Sequence, residues 1–97
     1  VVLTKFQIKN LNNTMSEKKT LNLNIARVDG SLFSGAILSV TVPGTEGEMT
    51  ILPDHTPLMS ALKIGLITVK KVDNTEETFE SKGGTLEISQ NSATILL

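Results

Sequence analysis

The chain has 97 residues, 39% apolar and 20% charged, with a formal net charge of −1, which is the size and balance of one ordinary globular domain. It has no cysteine and one histidine, His55, which excludes a disulfide framework, a thiolate site, a cysteine nucleophile and a multi-histidine metal site. Its three aromatic residues are all Phe, its charge is near zero, and no apolar run approaches the ~18 residues of a membrane span, so nucleic-acid stacking and direct membrane insertion are not expected.

The segment from Val1 to Ile8 reads as a short strand. Asn10 to Thr20 is polar and aperiodic, and would bury little surface. Residues 1–20 are therefore read as a polar N-terminal tail. Within it, Met15-Ser16-Glu17-Lys18-Lys19 has the form of a translation start, which makes residues 1–14 a candidate upstream extension. The segment has neither the apolar stretch of a secretory signal nor the arginines of a transit peptide. Asn12-Asn13-Thr14 matches a glycosylation acceptor, but without a secretory signal it is set aside.

From Leu21 the pattern has a period of two. Leu21, Leu23 and Ile25 alternate with Asn22, Asn24 and Ala26, the signature of a half-buried strand. Asp29-Gly30 supplies turn chemistry. Ala36, Leu38, Val40 and Val42 read as one face of a second strand that ends at Pro43-Gly44. Met49 to Leu52 is a short apolar run before Pro53, and Pro57 to Leu62 is the best helical candidate, a turn or so long. Leu66 to Lys71 is another strand. Asp73-Asn74 turns the chain into Thr75 to Ser81, with Phe79 facing in and Glu76, Thr78 and Glu80 facing out. Gly83-Gly84 and Gln90-Asn91 read as two further turns, leading into Leu86 to Ser89 and Ala93 to Leu97. Turn signals every 8–12 residues or so point to an all-β sandwich or barrel.

The catalytic candidates fail individually. Lys82-Gly83-Gly84-Thr85 has the letters of a phosphate loop but neither its order nor a following helix. No Gly-x-Ser-x-Gly is present, and nothing brings His55, a serine and Asp54 or Asp29 together. Glu46/Glu48 and Glu76/Glu77 read as solvated faces rather than acid–base pairs. His55 lies between Pro53 and Pro57, two residues that fix the backbone. A rigid loop presenting one imidazole suits a contact; equally, the imidazole can be satisfied inside its own loop. These residues favour a binding or assembly module over an enzyme.

One ordered set of residues is more specific. Phe33-Ser34-Gly35 is followed by Val42-Pro43-Gly44-Thr45-Glu46-Gly47-Glu48, then Leu52-Pro53-Asp54-His55-Thr56-Pro57-Leu58, then Ala61-Leu62-Lys63-Ile64-Gly65 and Gly83-Gly84-Thr85-Leu86-Glu87-Ile88, with Asn91 and Thr94-Ile95-Leu96 at the end. This set resembles the epsilon subunit of the F-type proton-translocating ATP synthase, the delta subunit in mitochondrial naming. The resemblance runs over residues 21–97. It implies an all-β, flattened β-sandwich of two sheets with about 8–10 short strands. It implies structural roles for Phe33, Gly35 (a bend after a buried Phe33), Pro53, Pro57, Gly83 and Gly84. It places Thr45, Glu46, Gly47 and Glu48 against the polar loops of the c-ring, and His55 and Ser60 on the face toward the gamma subunit. Asp54 departs from the small residue usual before the histidine.

The function implied is that of a non-catalytic central-stalk subunit. It joins gamma to the c-ring, couples proton transport to ATP synthesis, touches the alpha–beta hexamer only indirectly and needs no cofactor. The family usually continues into a two-helix inhibitory domain, whereas this sequence stops at Leu97, so coupling without autoinhibition is the expectation. Peripheral attachment to the cytoplasmic face of a bacterial plasma membrane is expected with it. Three rivals stand beside this reading: a stand-alone β-sandwich binding module, a small hydrolase using His55, and the equivalent subunit of a sodium-driven rotary ATPase.

Overall fold

Alternation at Leu21, Leu23 and Ile25 does produce a strand with one dry face. In the computed structural model, which describes residues 19–97, these three side chains are buried while Asn22 and Asn24 are exposed. The expected strand at Val1 to Ile8 and most of the N-terminal tail lie outside the described residues. Six strands follow in order: β1 (Leu21–Arg27), β2 (Gly30–Gly44), β3 (Gly47–Ile51), β4 (Leu58–Lys71), β5 (Glu76–Ser89) and β6 (Ser92–Leu96).

The strands form one hydrogen-bonded sheet in the order β1-β6-β5-β4-β2-β3, and β1 also pairs with β2. Five strands therefore close on themselves like a barrel, and β3 sits on β2 beyond the end of β1. β1 and β6 run parallel, while every other pair is antiparallel. All-β is correct. Against the expected eight to ten short strands in two sheets, the described residues hold six strands, three of them 14 or 15 residues long, in one hydrogen-bonded sheet not clearly divided in two.

The difference has a physical cause. Each long strand changes which face it turns inward partway along. In β2, Ile37 is buried and then Val40 and Val42, so the inward parity shifts across Leu38 and Ser39. The pairing with β4 slips between Ile37 and Ser39 at the same place. The expected face of Ala36 and Leu38 is corrected accordingly: Ala36 is exposed and Ile37 takes the core position. In β4, Leu62 is buried on one parity and Ile67 and Val69 on the other. Its partner β5 switches between Ser81 and Leu86 with no change of register. Such bends let one strand serve two layers.

Gly83 and Gly84 mark the corner of β5. The doublet reads as a turn in the sequence, yet both residues lie inside the strand, at φ +116° and +149°. These angles are strained for any residue with a Cβ, and a Cβ on Gly84 would land on the Leu96 carbonyl oxygen. Buried Ser81 stitches the same corner. Its hydroxyl donates to the Lys63 carbonyl at 3.1 Å and accepts from the Gly83 amide at 3.2 Å. Pro43, with no N–H to give, falls where the β2–β4 ladder is interrupted between Thr41 and Gly44. Across that gap, the ring of Pro43 packs on Gly65.

Pro57 to Leu62 is extended rather than helical: β4 begins at Leu58, and Leu58, Ser60 and Leu62 face inward at a period of two. No bulge interrupts the strand at Gly35. The β1–β2 ladder passes through Leu23↔Gly35 in unbroken register, and Phe33 is half-buried rather than buried. Phe33 meets Phe79 edge-on with centroids 6.1 Å apart, an arrangement worth about 0.5–1.5 kcal/mol beyond area burial. The rest of the core is aliphatic, led by Ile25, Ile37, Val40, Ile67, Leu86 and Ile95.

Candidate functional site

Two short segments carry the expected contact residues. The first is the tip of the β2–β3 hairpin. Gly44 pairs with Gly47, which leaves Thr45 and Glu46 as a two-residue turn. A Cβ on Gly44 would come 2.8 Å from the Gly47 carbonyl oxygen, and Gly47 takes φ +132°, so glycine at both positions lets the strands approach. Thr45, Glu46 and Glu48 are exposed and Gly47 is half-buried. Glu48 lies on β3 opposite Pro43 rather than in the turn. Neither glutamate is ion-paired among the described residues. The tip therefore presents two carboxylates on a stiff, narrow base.

The second segment is the connection from β3 to β4. Pro53 and Pro57 bracket it, and Asp54 takes φ +64°, a left-handed conformation that Asp tolerates better than most side chains. Asp in place of the small residue implied before His55 is therefore compatible with this backbone. His55 is half-buried, and its Nδ1 donates to the Thr56 carbonyl at 2.7 Å, since a carbonyl can only accept. One nitrogen is therefore satisfied within the loop. Ser60 lies on β4, half-buried, with its hydroxyl donating to the Ala61 carbonyl at 3.3 Å.

Ala61 connects the two segments. Its carbonyl oxygen also accepts from the Thr45 amide at 3.1 Å. The acidic tip is thus tied to β4 one residue beyond Ser60. Phe33 and Gly35 belong to the other half of β2, which pairs with β1, away from these loops. Gly84 lies on β5 opposite Leu62, the residue that also pairs with Gly44 at the base of the acidic hairpin.

The side-chain role of Asn91 was not visible in the sequence. It sits in the β5–β6 turn, where Gln90 and Asn91 take φ +52° and +58°, the two left-handed residues of a type I′ hairpin. Its Oδ1 accepts from the Asp54 amide at 2.8 Å, and its Nδ2 donates to the Thr20 carbonyl at 2.8 Å. Lys19 approaches the Asp54 carboxylate at 3.4 Å, an exposed pair of small worth. Also unanticipated is the exposure of Ile64 and Leu66, which flank an open notch with Gly65, Glu80, Ser81 and Lys82. Only the shift of inward parity within β4 explains why Ile64, on the parity of Leu62, points outward.

Among the described residues, no group of three or more His, Cys, Asp or Glu is arranged to hold a metal ion. Among the described residues, no helix is long and apolar enough to cross a membrane.

Comparison with known proteins gives this geometry a family. Residues 20–97 match the family described as ATP synthase, Delta/Epsilon chain, beta-sandwich domain. Among solved structures, the fold is similar to a chain in the Euglena gracilis mitochondrial ATP synthase with its c-ring, at TM-score 0.76 and 20% identity over 79% of this chain. It is similar also to a chain in the central stalk and c-ring of the Tetrahymena thermophila mitochondrial ATP synthase, at TM-score 0.65 and 15% identity over 82% of this chain. The alignments span 49% and 64% of those two chains respectively.

Proposed function

The chain belongs to the ATP synthase delta/epsilon family through its β-sandwich domain, and from that premise we propose that it is a non-catalytic central-stalk subunit that joins the gamma subunit to the c-ring. In this reading the c-ring turns under ion flow, gamma and this subunit rotate with it, and the domain keeps the junction from slipping. The alpha–beta hexamer feels it only through gamma. The assembly holds it peripherally at an energy-coupling membrane.

The observation that supports this most is the shared carbonyl of Ala61. A junction subunit must resist shear between two partners. Here the segment assigned to the ring, Thr45 to Glu48, is bonded to β4 beside Ser60, a residue assigned to gamma. Load entering at Glu46 passes into a 14-residue strand through backbone hydrogen bonds rather than through a free loop. The carboxylates of Glu46 and Glu48 suit polar, partly basic ring loops, and the loop bracketed by Pro53 and Pro57 presents His55 with little freedom.

Copurification with gamma and with isolated c-ring tests the proposal. The chain is expected to bind both, and to bind gamma less well as His55→Ala. Failure to bind either partner overturns it.

A further inference from the structure

Asn91 joins segments that lie far apart in the chain. Its two side-chain partners, Asp54 and Thr20, are 37 and 71 residues away. Its backbone carbonyl also accepts from the Asn22 amide at 3.2 Å. An amide is needed for this pairing, because one side-chain atom must accept from Asp54 while the other donates to Thr20. The hairpin itself does not need the side chain. Asn91 holds the second position of a type I′ turn, where glycine fits with less strain. Asp54, by contrast, is left-handed one residue before His55, and the hydrogen bond to its amide is what holds that peptide in place.

We propose that Asn91 is the positioning residue of the His55 loop: it clamps the Asp54 peptide to the β5–β6 turn and to the segment entering β1, and so fixes the direction in which His55 is presented to a protein partner. This rests on the reading above that the His55 face docks gamma. The two prolines restrict the loop's own backbone, but neither ties it to the sheet; Asn91 supplies that tie. Because the clamp reaches Thr20 as well, displacement of the segment before β1 is felt at His55.

The test compares Asn91→Gly, Asn91→Asp and His55→Ala in the full chain. Hydrogen exchange is followed at the Asp54 amide, and affinity is measured against purified gamma. Asn91→Gly keeps the turn and deletes the clamp. It is expected to raise exchange at Asp54 by at least about tenfold, with Thr94 in β6 unchanged. It is also expected to weaken gamma binding about fivefold, the equivalent of one hydrogen bond. Asn91→Asp retains the acceptor for the Asp54 amide but loses the donor to Thr20, so that amide is expected to stay protected and gamma binding to weaken less than in Asn91→Gly. Wild-type binding by Asn91→Gly alongside weakened binding by His55→Ala overturns the positioning role and leaves the docking reading standing. Weakened binding by Asn91→Gly with Asp54 still protected overturns it too. Wild-type binding by both variants removes both readings.

Discussion

The Thr45 amide and the Ser60 hydroxyl donate to the same acceptor, the carbonyl oxygen of Ala61, at 3.1 and 3.3 Å. One carbonyl has two lone pairs, so both bonds can form, and losing one does not orphan the oxygen. Ser60→Ala should therefore cost only about 0.5 kcal/mol, the low end for a hydrogen bond, and lower Tm by about 2–4 °C. Thermal unfolding checks this. A loss several times larger would mean that the hydroxyl holds more than the shared carbonyl.

Of three glycines substituted by alanine, Gly84 should stand apart. Gly84→Ala combines a positive φ with a collision against the Leu96 backbone, so the loss should be about 3 kcal/mol or more. Gly83→Ala meets nothing nearer than 3.9 Å and should lose about 1–2 kcal/mol from its positive φ alone. Gly65→Ala has no positive φ, but its Cβ would lie 2.9 Å from the ring of Pro43, and about 1–3 kcal/mol is expected. Denaturant unfolding of the three variants gives the ranking. Gly83→Ala exceeding Gly84→Ala would contradict the corner geometry.

That corner marks the boundary of what the sequence reveals. Local signals are legible: the alternation of Leu21, Leu23 and Ile25, the inward Phe79, and the turns at Asp29-Gly30, Asp73-Asn74 and Gln90-Asn91. They are legible because a strand facing one core repeats every two residues and a tight turn needs particular backbone angles. Ile37 and Gly83-Gly84 are misread, and the exposure of Ile64 is missed, because a strand that turns from one layer to another breaks its own parity, and a doublet of glycines looks the same at a bend as at a turn. The residues of the candidate site are legible only through family resemblance. Their coupling is not, since Thr45 to Ala61 and Asn91 to Asp54 are contacts across the fold that no spacing rule encodes.

The β4–β5 turn should carry a pH-dependent part of stability. The Asp73 carboxylate accepts from the Thr75 hydroxyl at 2.6 Å and its amide at 3.0 Å, and these bonds hold its pKa below the usual carboxylate value. A lowered folded-state pKa means that the contribution is full above the unfolded value of 3.8 and is lost as pH falls through the folded value. Asp73→Ala should therefore lower Tm by a constant amount near neutrality, and the gap from wild type should close below about pH 4. Lys71 behaves in the opposite sense. The hydrogen bond and charge of Glu77, at 2.9 Å, raise its pKa above 10.5, so its contribution is present below that value and fades as pH rises through the folded value. Melting curves of wild type, Asp73→Ala and Lys71→Met across pH check both signs. A gap for Asp73→Ala that widens in acid would refute the first.

Charge at the hairpin tip should govern association with the ring rather than folding. Glu46 and Glu48 are exposed and unpaired among the described residues, so the double variant Glu46→Gln/Glu48→Gln removes no internal ion pair. Its stability should stay within about 0.5 kcal/mol of wild type, as for surface changes generally. Attraction of two exposed carboxylates to basic loops acts over roughly a Debye length, about 10 Å at 0.1 M salt and 3 Å at 1 M. Binding to isolated c-ring should therefore weaken several-fold at low salt, mainly through slower association. The difference from wild type should vanish by about 1 M salt. A loss of equal size at both salt concentrations would show that the two side chains act through shape or hydrogen bonding instead. No loss at either would move the ring contact off the Thr45–Glu48 tip.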